Sequence, residues 1–183
     1  IPASLSMVIM SMGAILFNKI LNSTDAVAAY QTAGRLEHMF FLPIISIAHA
    51  LVTLTGMFYG AKQLSLVIHI IHYGLKQTIL ISAIVGLFFY FFAINIFPIF
   101  TDSESIINYG VEYIKIAVFS YPFIAIGMTS SRVMQGLGYG MPMLFLTLMR
   151  VILISVPLSL YFIYFQNQTH IYVWYSMVFS SII

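Results

Sequence analysis

The side chains able to do chemistry are few, and their spacing is orderly. Between Ala28 and Lys62, placing each residue 100° further round a helix brings Gln31, Arg35, His38, Ser46, His49, Thr53, Gly56 and Gly60 into one arc of about 80°. Such a stripe can line a cavity, offering weak polar contacts at many points. It can equally bond a neighbouring helix, with Gly and Ser allowing close approach. His49, the deepest titratable group on it, is a candidate proton carrier as well as a helix contact. A second stripe, Ser4, Ser11, Asn18 and Asn22, recurs at spacings of seven, seven and four. Asn108, Glu112 and Lys115 share a further helix face, and Glu112 and Lys115, three apart, can pair. That pair reads either as an interfacial anchor or as a polar patch at the mouth of a cavity.

Other chemistries lack their parts. His69 and His72 stand three apart with no carboxylate or third ligand near in sequence, so they make a poor metal site. The chain has no cysteine, which removes thiol catalysis, Cys-ligated metals and disulfides together. It has no G-x-S-x-G, H-E-x-x-H or Walker motif. With no acid, base and nucleophile set, the sequence is not read as an enzyme.

The elements that must position these residues are hydrophobic helices. Of 183 residues, 61% are hydrophobic and only 7% charged, with mean hydropathy +1.02. Soluble domains carry about 25% charged residues, so this chain cannot cover a soluble surface and is an integral membrane protein. A net charge of +2 without a basic run gives no footing for nucleic acid. Six apolar segments are expected: Pro2–Leu21, Ala28–Gly60, Thr78–Phe97, Ile106–Met134, Met143–Phe165 and one from Ile171 onward. Between them, Asn22–Asp25, Thr101–Ser105, Gln135–Pro142 and Gln166–Thr169 read as turns, and Lys62–Lys76 as a loop or interfacial helix. Pro43 is a possible kink in the second segment.

The Lys/Arg bias puts the Lys62–Lys76 and Gln135–Pro142 loops in the cytoplasm. The turns at Asn22, Asp102 and Asn167, with both N-x-S/T sequons, then lie outside. Arg150, eight residues past Pro142, is placed to snorkel to the cytoplasmic face. The five carboxylates, Asp25, Glu37, Asp102, Glu104 and Glu112, all fall in turns or the outer parts of helices in this topology. Glu37 lies about 200° round from Arg35, off the polar stripe.

The run of motifs IPASLSM, AVAAYQTAGRLEHMFFLP, A-x-x-T-x-x-G-x-x-x-G-A-K, PIFTDSESIINYGVEYIKI, YPFIAIGM and M-Q-G-L-G-x-G-x-P resembles, in order, the C-terminal lobe of multidrug and toxic compound extrusion (MATE) transporters. The resemblance covers nearly the whole chain. It implies an all-α, six-transmembrane-helix bundle, one lobe of a twelve-helix transporter in the plasma (inner) membrane. Residues 1–183 would be a single lobe truncated at both ends, packed in lipid against an absent N-terminal lobe. It also implies alternating access and export of small organic, often cationic, compounds driven by inward Na⁺ or H⁺, with no cofactor. In that setting the substrate-cavity candidates are Ser4, Ser11, Asn18, Gln31, Arg35, His38, Ser46, His49, Thr53, Asn108, Glu112 and Lys115. Met10 and Ile124 stand where many family members carry a Glu and some an Asp. The coupling ion is therefore expected in the N-terminal lobe. A lipid-linked saccharide flippase of the same superfamily is the alternative. It needs cationic residues for pyrophosphate, and only Arg35, Arg132 and Arg150, on different segments, are available.

Overall fold

The computed structural model describes residues 2–21, 23–162 and 171–182. They form six membrane helices, several of them interrupted. α1 is Pro2–Ile20, α2 Thr24–Gly60 and α3 Leu64–Ile96. The fourth helix is α4, Glu104–Ala117, continued through a 3-10 turn at Val118–Ser120 into α5, Tyr121–Gly136. The fifth is α6, Met141–Leu148, a π-helical segment Met149–Ser155 and α7, Val156–Leu160, and α8 is Ile171–Ile182. Four of the helical stretches are long and apolar enough to cross a bilayer alone, and α1 and α8 are shorter apolar helices.

Prolines account for both interruptions. Pro122 lies at the start of α5 and Pro157 at the start of α7. A proline ring clashes with the carbonyl four residues back and donates no hydrogen bond, so the preceding turn tightens or widens. Pro43 leaves α2 unbroken. The polar stripe consequently keeps its phase across it: Gln31, Arg35, His38, Ser46, His49 and Thr53 are all exposed.

One expectation is corrected. Lys62–Lys76 is not a loop; the turn is confined to Ala61–Gln63, and α3 begins at Leu64, so the segment is helical and continuous with the third span. Leu64, Leu66, Val67, Ile68, Ile70 and Ile71 continue the helix with no breaker. Its one glycine in this part, Gly74, is buried and seats Leu51 of α2.

Packing divides the lobe into two groups. α2, α3, α4 and α5 pack closely on one another, while α1 packs on α6, the π segment and α7. α8 touches both groups. Where α2 meets α5 the backbones approach closely: a Cβ on Gly136 would meet Thr55 Oγ1, and Val52 O at 2.6 Å. Thr129 of α5 donates to Thr78 of α3 at 3.1 Å, a buried bond between spans. The turn after α5 holds Gly138 at φ +92°, which explains a glycine there.

Candidate functional site

The seam between the two helix groups encloses a cavity of about 240 Å³. Its chemistry centres on a carboxylate that the sequence reading placed elsewhere. Glu37 is thirteen residues beyond the start of α2, roughly 20 Å down the axis. α1, 19 residues long, runs for about 28 Å, close to a bilayer core. Its middle residues Met10 and Gly13 line the same cavity as Glu37. Glu37 therefore lies within the hydrocarbon depth, not at the outer end of its helix.

Two phenols hold the carboxylate. Tyr121 Oη donates to Oε1 at 2.9 Å and Tyr113 Oη to Oε2 at 3.2 Å, across sequence separations of 84 and 76 residues. Tyr113 and Tyr121 are eight apart and so project from one side of the α4–α5 helix. Each ring is fixed by aromatic neighbours. Tyr121 meets Phe41 edge-on at 5.0 Å and Phe89 at 6.4 Å. Tyr113 meets Trp174 at 4.9 Å and Tyr30 at 5.6 Å, and Tyr30 stacks on Trp174 at 5.9 Å. Tyr121 and Trp174 are fully buried. Locked rings fix the donors, so the carboxylate finds its hydrogen bonds ready-made.

Arg150 lines the same cavity from the π segment. The expected snorkel to the cytoplasmic face is thus overturned: the side chain turns inward to the seam, where polar groups from α2, α4 and α5 converge. Among the described residues, Arg150 and Glu37 make no ion pair with each other.

A second, shallower crevice runs beside the cavity and shares Ala14 and Tyr30 with it. Gln31, Gly34, Arg35 and His38 complete its lining. Gln31 donates to Asn18 Oδ1 at 3.0 Å, joining the stripes of α1 and α2. The structure therefore connects the outer part of the polar stripe to the Glu37 cavity through the gap between α1 and α2.

The remaining sequence candidates lie apart from this centre. Ser4 and Ser11 are exposed on α1, with Ser11 bonded to its own helix at Met7 O, and Asn18 is half-buried. Ser46, His49 and Thr53 continue the exposed stripe of α2, and Ser46 Oγ donates to Leu42 O at 2.8 Å. Asn108 and Lys115 are exposed on α4, with Glu112 half-buried. Asn22, Asn167 and the Gln166–Thr169 turn lie outside the described residues.

Comparison with known proteins agrees with this architecture. Residues 2–161 match the family described as MatE. The chain belongs to the MatE family. A probable multidrug resistance protein NorM of Thermotoga maritima is 26% identical over 168 residues, 90% of this chain and 36% of the relative. A MOP superfamily transporter from Pyrococcus furiosus Vc1, described as having a binding pocket of reverse polarity, superposes with a TM-score of 0.92 at 25% identity. It covers 99% of this chain and 41% of that one. A multidrug resistance MATE transporter in an inward-facing conformation superposes at 0.88 with 26% identity, over 99% of this chain and 42% of its own. The chain thus spans about two fifths of the length of the MatE relatives it matches, as one six-helix bundle.

Proposed function

We propose that this chain is one half of a secondary active transporter that exports organic, often cationic, compounds by alternating access, driven by Na⁺ or H⁺. The observation that carries the reading is the exposed stripe Gln31–Thr53 on α2, joined to that of α1 through the Gln31–Asn18 bond. Lipid cannot satisfy imidazole, guanidinium and amide groups. The stripes therefore face another protein wall or water between walls, as a second lobe would provide. Their exposed neighbours include Met10, Met12, Met39 and Met57. Flexible thioethers re-pack around ligands of different shape, which suits broad selectivity.

Pyrophosphate recognition has less support. Arg35 stands on the α2 stripe, Arg150 lines the seam, and Arg132 is buried on α5 with its guanidinium on Gln135 at 3.0 Å. They do not converge on one site.

The test is efflux of a fluorescent organic cation from proteoliposomes holding the full-length protein, under imposed pH and Na⁺ gradients. One gradient should drive saturable transport, and residues 1–183 alone should give none. Transport indifferent to both gradients, or saturable gradient-driven uptake by the isolated fragment, would sink the proposal.

A further inference from the structure

We propose that the crevice between α1 and α2 is an anion subsite, in which Arg35, assisted by His38, takes a carboxylate of the transported organic compound. The proposal rests on the reading that the protein exports organic compounds. It narrows their class to molecules that carry a carboxylate, whether or not they also carry a cation.

The crevice has the dimensions of a site. It holds about 340 Å³ and is lined by Ala14 of α1 and by Tyr30, Gln31, Gly34, Arg35 and His38 of α2. Small residues make the room: Ala14 forms part of one wall, and a Cβ added at Gly34 would meet nothing within 4 Å. Its frame is already fixed. Gln31 donates to Asn18 Oδ1 at 3.0 Å, which ties α1 to α2 beside the crevice. Tyr30 stacks on Trp174 at 5.9 Å and meets Tyr113 edge-on at 5.6 Å, so the wall it forms is rigid. Pre-formed clefts of this kind bind with little reorganisation.

Its charge is one-sided. Arg35 and His38 are exposed, and among the described residues neither has a hydrogen-bond or ion-pair partner. None of the five carboxylates lines the crevice. Glu37 lies about 200° round α2 from Arg35 and is held by Tyr113 and Tyr121. Asp25 accepts from Ser105, and Asp102, Glu104 and Glu112 belong to α4 and the turn before it. The rest of the exposed stripe, Ser46, His49 and Thr53, adds no acid. Arg35 is eleven residues past Thr24, roughly 16 Å along α2. At that depth lipid offers a guanidinium no partner, and an uncompensated cation draws an anion.

The residue types decide which anion. A guanidinium presents a planar fork that matches the two oxygens of a carboxylate with two parallel N–H···O bonds. His38, three residues on, is its neighbour on the same helix face, and an imidazole N–H can donate to the same group. One fixed cation balances one negative charge, which satisfies a carboxylate and leaves a pyrophosphate short. The apolar body of the compound finds its bed alongside. Met39 and Leu42 are exposed and fall within about 40° of Arg35 round α2. A thioether beside the anion site adapts to bodies of different shape while the carboxylate is held in one place.

The experiment reads binding separately from transport. The full-length protein in phosphatidylcholine nanodiscs is titrated with dansylglycine and with its uncharged amide, dansylglycinamide, against empty nanodiscs. The wild type should bind the carboxylate at least about 10-fold more tightly than the amide. Arg35→Gln should weaken the carboxylate by about 10- to 100-fold, as expected for lost charge-assisted bonds, and leave the amide unchanged. Unchanged amide binding also shows that the variant is folded. Arg35→Lys keeps the charge without the fork and should fall between the two, which carries the test if the Gln variant is not recovered. Gly34→Leu should fill the crevice and weaken both probes, whereas Lys76→Gln, exposed on α3, should change neither. Equal affinity for the two probes in the wild type would overturn the proposal, and would mean that an acid of the other half answers Arg35. A carboxylate preference that survives in Arg35→Gln would overturn it as well. Absence of gradient-driven efflux beside Arg35-dependent binding would sink the transport reading and leave the anion site in place.

Discussion

Removing one hydroxyl tests the carboxylate cradle most cleanly. Tyr121→Phe deletes the donor at 2.9 Å from Glu37 and keeps the ring between Phe41 and Phe89. Packing is nearly conserved, so the loss reports the hydrogen bond. A bond to a charged acceptor is worth about 1.5–3 kcal/mol and one to a neutral acceptor about 0.5–1.5 kcal/mol. Tyr113 remains as a second donor at 3.2 Å, so Glu37 is not left wholly unsatisfied and the lower half of each range applies. At acidic pH, with a neutral carboxyl, the expected cost is about 0.5–1 kcal/mol, and at alkaline pH about 1.5–2 kcal/mol. The measurement is reversible unfolding of the full-length protein in mixed micelles, with Tyr121→Phe made in the wild type and in Glu37→Gln. Gln stays neutral and still accepts one hydrogen bond, so in that background the cost should remain at the acidic value at both pH values. The difference between backgrounds is the coupling energy of the cycle. A cost below about 0.3 kcal/mol throughout, or an equal cost in both backgrounds at alkaline pH, would refute the reasoning, because an ionisable acceptor must feel the lost donor more.

Other consequences are more local. Gly136→Ala should cost about 1–3 kcal/mol and lower the thermal stability of the monodisperse protein, since its Cβ would press on the α2 backbone; Gly127→Ala, with nothing within 4 Å of its Cβ, should be neutral or mildly stabilising. Thr129→Val should cost about 0.6–1.7 kcal/mol through the lost bond to Thr78 in the same unfolding measurement. In intact cells, a cysteine at Ser23 should react with an impermeant reagent from outside. A cysteine at Gln63, in the turn between α2 and α3, should react only after permeabilisation; outside labelling of Gln63 would reverse the orientation read from the Lys/Arg bias.

Much of the fold was legible because it follows from local chemistry. Hydropathy alone made this a membrane protein of six spans, and turn residues marked most boundaries. The 3.6-residue period placed the polar stripe of α2 on one face, and that face is exposed. Reading Lys62–Lys76 as a loop failed because the charges and histidines there were weighed above an unbroken run of helix-forming apolar residues. Where a helix begins is set also by what packs on it, and here Leu51 seats in the notch of Gly74.

The centre of the lobe was hidden for a different reason. Glu37 sits off the stripe, between the buried residues Leu36 and Phe41, and helix phase alone cannot say whether a carboxyl there meets lipid, a partner or a cavity. A lone acid on the apolar side of a membrane helix was itself a signal, because such a group must find partners. Which partners it finds depends on contacts 76 and 84 residues away in sequence, and on Arg150 turning inward from a segment widened by Pro157. Periodicity and hydropathy report each helix against its surroundings one at a time. The pairing of faces is a property of the assembled bundle, where desolvation of each polar group is offset only by another helix's donor, and this the tertiary structure alone decided.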